Sequence, residues 1–312
     1  MKARSLLLKN EGYEFVFKEI RRNTNTLSSK YDELYEKVWN EFVDGLIIAF
    51  RKAFAKQEND VVVKIISTKP VRQVIYGLVE GKYSISCDPY IPGDFNVGVS
   101  RIFNPGENVH KRIGGRPGYR ELSDQMQDLS SVLDRNRRSV LIEDDIFTGS
   151  TIAQILEDMR RFGVEIHDIL VGFQIGNTTK ITQPIESIFK FNREDVLDIN
   201  DIRNLVIGGF ESGLVIKYPQ GKIKAPYILP FCSPQARSSI PPDQEIDFSK
   251  RMLELNMALF SDLSRKIGEV VLLAHVNPFF QRLILGEAIN LNTPMHCVCQ
   301  NILDRLTGGG HY

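Results

Sequence analysis

The 312-residue chain holds only four cysteines, too few for the disulfide framework of a small secreted fold. Cys297 and Cys299 stand one residue apart with no second pair at zinc-like spacing. Alternation along a strand, or chance, explains them as well as a metal would. Long hydrophobic runs are missing too, since none approaches the roughly 20 residues of a membrane span. The opening stretch 1–8 ends in three leucines, but Lys9 and Glu11 cut it short of a signal-peptide core. Net charge is absent: 39 basic residues balance 39 acidic ones. No global basic field draws nucleic acid, so anion binding must come from local clusters. Arg135, Arg137 and Arg138 form only a small solvated group. A Gly-Lys-Ser/Thr phosphate loop does not occur, which argues against an ordinary NTPase. The expectation is a cytoplasmic protein without a membrane partner or a nucleic-acid partner.

What is present is ordinary in amount and specific in arrangement. Hydrophobic residues make up 42% and charged residues 25%, and the length suffices for a large core. Residues 140–151 read Val-Leu-Ile-Glu-Asp-Asp-Ile-Phe-Thr-Gly-Ser-Thr. An apolar strand ends in acids, and a small polar loop leads into an amphipathic helix over 152–162. That order describes an anion site at the carboxyl edge of a parallel sheet. Backbone N–H groups of residues 147–151 would converge on a phosphate at the positive end of the helix dipole. Gly149 allows close approach, while Thr148, Ser150 and Thr151 add hydroxyl donors. Glu143 and Asp144 sit where a sugar attached to that phosphate would lie. They could accept hydrogen bonds from two neighbouring hydroxyls or hold a hydrated Mg²⁺. A buried strand followed by a capped turn would also use these hydroxyls, but it leaves three consecutive acids against a Val-Leu-Ile strand end unexplained.

Elsewhere the periodicity alternates. Tyr31, Leu34, Tyr35, Val38, Phe42, Leu46 and Phe50 recur at helical steps and predict one long helix over 29–55. A strand is expected at 61–66, a helix at 71–80, strands at 83–87 and 96–103, a helix at 121–133 and a strand at 164–173. This pattern predicts an α/β fold with a doubly wound, mainly parallel sheet. Further on, short strands are expected at 204–209, 213–218 and 222–229, a helix at 247–267, a buried strand at 270–274 and a helix at 278–289. The expected organisation is an N-terminal helical cover (1–60), a central core (61–180) and a C-terminal α+β extension of unknown role (181–312).

The acid pair, three variable positions (Asp145, Ile146 and Phe147) and Thr148-Gly149-Ser150-Thr151 together resemble the phosphoribosyl-diphosphate (PRPP) signature of type I phosphoribosyltransferases. The resemblance covers about a dozen residues closely and the central 120 loosely. It implies displacement of pyrophosphate from the anomeric carbon of PRPP by a nitrogenous acceptor. Mg²⁺ would sit on the leaving group, with Glu143 and Asp144 as its candidate ligands. The family's pyrophosphate loop follows an early strand, which here implies Thr68 and Lys69 in Ser67-Thr68-Lys69-Pro70, although the usual glycine is missing. Its mobile lid precedes the PRPP motif, which here implies 108–120, with Lys111, Arg112 and Arg116 as cations and glycines for movement. Glu143, Asp144, Lys69 and Arg116 are the implied catalytic group. Asp145, Phe147, Thr148, Gly149, Ser150, Thr151, Thr68, Lys111 and Arg112 are implied to bind substrate. Phe147 stands where 6-oxopurine members commonly carry an aspartate, which counts against hypoxanthine or guanine. Dimerisation is common in the family, and the helix over 29–55 offers a surface for a homodimer. The competing function is a non-catalytic sensor of PRPP or a nucleotide, as a regulator or a bacterial conflict-system effector; PRPP or a phosphoribosyl nucleotide is the expected small-molecule partner.

Overall fold

A run such as Val140-Leu141-Ile142 hides every side chain only if both faces of its strand are covered, as in a parallel sheet packed between helices. The computed structural model describes residues 3–56, 61–105, 112–219, 221–285 and 289–308, and all three side chains are fully buried in it. They belong to one of two compact units, drawn from Ser67–Ile102 and His110–Val196. Five parallel strands cross this unit in the spatial order Phe95–Asn96, Tyr83–Ser86, Ser139–Ile146, Asp168–Ile175, Ile185–Phe191. Counted along the chain that is 2-1-3-4-5, a common doubly wound order. The direction of winding reverses between Tyr83–Ser86 and Ser139–Ile146. Loops leaving the carboxyl ends of those two strands therefore diverge and open a crevice.

Both sheet faces carry helices. Leu141, Ile169 and Val171 share a cluster with Met126 and Leu129 of helix Leu122–Val132 and with Ile152, Ile155 and Met159 of helix Ser150–Arg161. The 152/155/159 spacing puts one apolar stripe on the sheet, each side chain contributing about 1.5–3 kcal/mol of burial. Glu157, Asp158 and Arg161 lie on the outer side, where Arg161 pairs with both acids. Gly163, at φ +71°, stops the helix. Gly172 faces the opposite way from Val171, because successive strand residues alternate. A Cβ there would lie 2.9 Å from Val71 Cγ1 and 2.8 Å from the Asp144 carbonyl oxygen. The helix Lys69–Leu78 thus packs its first turn onto the second face at the level of Asp144. A hairpin completes the unit, with Val99 opposite Gly115 and Ile102 opposite Arg112.

The other unit draws on Met1–Ile66, Phe103–Val109 and Leu197–Tyr312. Its three-stranded sheet runs Val196–Asp201, Arg4–Asn10, Val61–Ser67. The long helix predicted over 29–55 spans Asp32–Phe54, and a second 23-residue helix spans Glu245–Ile267. They touch where Phe50 meets Phe248 edge-on, with ring centroids 4.9 Å apart. Helix Met295–Thr307 adds Val298, Cys299 and Ile302 to the same core. Cys297 and Cys299 therefore lie on a helix rather than a strand, and none of the four cysteines forms a disulfide. The strand expected at 204–209 is replaced by the 3₁₀ turn Ile202–Leu205. There the Asn204 side chain accepts the Gly213 amide at 2.9 Å and competes with a strand ladder. The strand expected at 270–274 is reduced to a single bridge, Leu272 to Pro294, beside the 3₁₀ turn Leu273–His275. Among the described residues, no helix is long and apolar enough to cross a membrane.

Candidate functional site

The strand Ser139–Ile146 carries its acids inside its last turn of pairing, with Glu143 opposite Val171 and Asp145 opposite Phe173. Each carboxylate also braces the next residue. Glu143 Oε1 accepts the Asp144 amide at 3.3 Å, and Asp144 Oδ1 accepts the Asp145 amide at 2.8 Å. Burial pushes the Glu143 carboxyl well above its ordinary pKa, and the charges of Asp144, Asp88 and Asp145 push the same way. Three neighbouring carboxylates around a partly desolvated fourth make a concentrated negative field.

Asp88 is the member of this group that sequence reading missed. It follows the neighbouring strand Tyr83–Ser86 and is 4% exposed, and its Oδ1 accepts the amides of Tyr90 and Ile91 at 2.7 and 2.8 Å. Those bonds lock the loop at the carboxyl end of that strand, beside the winding reversal. Arg116 holds the same loop. Its buried guanidinium donates to the carbonyls of Cys87 and Val99 at 3.0 and 3.1 Å. The lid cation of the sequence reading is, in this geometry, a brace between the 87–91 loop and the hairpin. Arg112 opens the hairpin's second strand and is exposed, while Lys111 lies outside the described residues.

Downstream of the acids, Phe147 and Thr148 lead to Gly149, which adopts φ +73°, ψ 0° immediately before the helix. That left-handed turn starts Ser150–Arg161, whose first amides have no intrahelical carbonyl to bond; the Ser150 amide donates to Thr148 Oγ1 at 3.4 Å. The helix has no side-chain cap at Gly149 and no acid in its first turn. Thr148 Oγ1 and Ser150 Oγ lie 3.0 Å apart, both exposed, and Thr151 is half-buried. Strand, acids, glycine turn and open helix terminus therefore follow one another at a single sheet edge.

Thr68 and Lys69 reach this edge by a different route. Their preceding strand, Val61–Ser67, belongs to the three-stranded sheet, so they do not follow a strand of the parallel sheet. Instead Thr68 is the buried N-cap residue and Lys69 the exposed first residue of helix Lys69–Leu78. The Val71 contact with Gly172 sets that terminus level with Asp144. One turn along, Arg72 lies 4.6 Å over the Tyr90 ring. The loop that does follow a strand next to the motif strand is 87–91, which holds Asp88.

Two further cations escaped the sequence reading. Lys180 Nζ donates to Ser150 Oγ at 2.9 Å, and the Arg193 guanidinium lies 5.1 Å over the Phe147 ring. Both sit in loops that leave the carboxyl ends of neighbouring strands. Only the topology brings them here: Lys180 follows the strand expected at 164–173, whereas no strand was expected ahead of Arg193. A cation at a helix N-terminus opposes the dipole by about 0.3–1 kcal/mol.

Compared with known proteins, the chain matches no family model and no curated sequence.

Proposed function

We propose that this chain is a phosphoribosyltransferase-like protein with the core of a type I phosphoribosyltransferase. It would bind PRPP with Mg²⁺ and transfer the phosphoribosyl group to a nitrogenous acceptor, releasing pyrophosphate. One observation carries the reading: an acid pair, a left-handed glycine turn and a helix terminus with no acid in its first turn share the carboxyl edge where the winding of a parallel sheet reverses. Each matches a part of the ligand. The amides and hydroxyls of residues 148–151 suit the sugar phosphate, and the Glu143 and Asp144 carboxylates suit the ribose hydroxyls.

The donor set also fits the metal. Glu143 and Asp144 offer hard oxygen ligands of the kind Mg²⁺ takes. A divalent cation would relieve the crowding of Asp88, Asp144 and Asp145 around Glu143. When bound, Mg²⁺ would supply charge neutralisation on the departing pyrophosphate. The chain's own groups do the remaining work. Lys69 and the open terminus of Lys69–Leu78 offer positive charge at the level of Asp144, and Asp88 fixes the loop beside the crevice.

A sensor without turnover is the second reading, and Arg116 favours it. A guanidinium committed to two carbonyls is not positioned as a lid cation. The deciding experiment follows pyrophosphate release from PRPP and Mg²⁺ across a panel of bases and amines, for wild type and Asp144→Asn. Release that the substitution abolishes supports the transferase. Tight binding with no release under any acceptor supports the sensor, and absence of PRPP binding at any Mg²⁺ level removes the transferase and a sensor of PRPP, leaving only a nucleotide sensor.

A further inference from the structure

Lys180 and Arg193 converge on the residues 147–150 from two separate loops, and neither has a carboxylate within 4 Å among the described residues. Surface cations ordinarily find acids or open water. These two instead meet Ser150 and Phe147, on either side of the turn that starts a helix whose first turn holds no acid. The approach is built into the backbone. Ile181, next to Lys180, packs where a Gly149 Cβ would lie, 2.9 Å from its Cδ1, and Thr178 Cβ comes within 3.5 Å of the same point. Gly149 therefore serves two ends: it makes the left-handed turn, and it seats the 177–184 segment against the loop. Phe147 gives Arg193 an aromatic face, which holds a guanidinium without neutralising it. Two cations without a carboxylate partner, beside a helix N-terminus whose first turn holds no acid, share one need, an anion of high charge.

We propose that Lys180 and Arg193 form a clamp that selects ligands bearing a phosphate monoester at the 147–151 loop. This rests on the reading of that loop as the sugar-phosphate site and names the residues that set its preference. Lys180 exchanges the Ser150 hydroxyl for a phosphate oxygen, and Arg193 closes from the Phe147 side. A dianionic monoester satisfies both, whereas a neutral sugar satisfies neither.

The test is calorimetric titration of three probes, PRPP with Mg²⁺, ribose 5-phosphate, and Mg-pyrophosphate, into wild type, Lys180→Ala, Lys180→Arg and Arg193→Ala. Both positions are exposed, so the variants are expected to fold, and their melting curves check this. Lys180→Ala is expected to weaken PRPP and ribose 5-phosphate about 10- to 100-fold, as loss of a charge-assisted bond does. Mg-pyrophosphate, which lacks the monoester, is expected to change less than about threefold by the same reasoning, and Lys180→Arg to keep most of the affinity. Wild-type affinity for PRPP in both alanine variants overturns the clamp and leaves the PRPP reading standing. Lys180-dependent binding of ribose 5-phosphate without PRPP binding does the reverse. No binding of either sugar phosphate to wild type overturns both.

Discussion

Gly172 sits at a tight packing contact behind the acid pair, and replacing it with alanine tests that packing without any ligand. The added Cβ would lie 2.8 Å from the Asp144 carbonyl oxygen and 2.9 Å from Val71 Cγ1. Ordinary contacts at these atoms fall near 3.4–4 Å, so roughly half an ångström or more must be found. The Val71 methyl can turn away, but the Asp144 oxygen belongs to the backbone of a paired strand and cannot. Overpacking of this kind costs about 1–3 kcal/mol. At about 2–4 °C per kcal/mol for a protein of this size, the melting temperature is expected to fall by several degrees. Gly77, five residues beyond Arg72 in the same helix Lys69–Leu78, has open space around its Cα. Gly77→Ala is expected to be neutral or to stabilise by about 0.5–1 kcal/mol, because alanine is the better helix former. Both variants would be compared by urea denaturation, with Val71→Ala added to Gly172→Ala to recover only the side-chain share. Gly172→Ala matching Gly77→Ala, or full rescue by Val71→Ala, would refute the claim that the Asp144 backbone is pinned there.

Two further outcomes follow in the other unit. Asn256 is fully buried, and its side chain accepts the Ile207 amide at 2.8 Å and donates to the carbonyls of Leu205 and Met252 at 3.0 and 2.8 Å. Asn256→Ala takes these bonds from the Ile207 amide and the Leu205 carbonyl, while the Met252 carbonyl keeps its helical bond, and is expected to cost about 2–4 kcal/mol in chemical denaturation. Glu19 is pushed up to about 7 by burial and by Glu211, against the opposing charges of Lys18, Lys224 and Arg22. A raised carboxyl means the folded state holds a proton that the unfolded chain releases near its ordinary value. Its contribution is therefore full below about pH 4.5 and is lost as pH rises through about 7. Glu19→Gln is expected to stabilise the protein at pH 8 and to make little difference at pH 4. Equal effects at both values would contradict that assignment.

The centre of the site was legible because local signals sufficed. Val140 to Ile142 announced a doubly covered strand, and 152, 155 and 159 announced the helix that follows it. Partners across the sheet were not legible, since periodicity says which face is buried and not which strand lies beside it. Val61–Ser67 reads as a core strand yet pairs in the three-stranded sheet with Arg4–Asn10 and Val196–Asp201. The strands Ile185–Phe191 and Val196–Asp201 were missed because Glu186, Lys190 and Asp198 interrupt their apolar pattern. Cys297 and Cys299 imitated strand alternation inside a helix, where Val298 and Cys299 in fact share its buried stripe. Asp88, Lys180 and Arg193 carry no motif of their own. Their relevance comes from the rule that loops at the carboxyl ends of parallel strands converge, and it emerges only when the strand order is known.

The central claim is that the edge formed by Glu143, Asp144 and the Thr148–Thr151 turn binds PRPP with Mg²⁺. Calorimetric titration of PRPP into wild type and Asp144→Asn, with and without Mg²⁺, tests it most directly. The account predicts Mg²⁺-dependent binding to wild type that falls at least about tenfold in the variant, as removal of a charged ligand contact does. Equal binding to the two proteins, or none to wild type at any Mg²⁺ concentration, would contradict it.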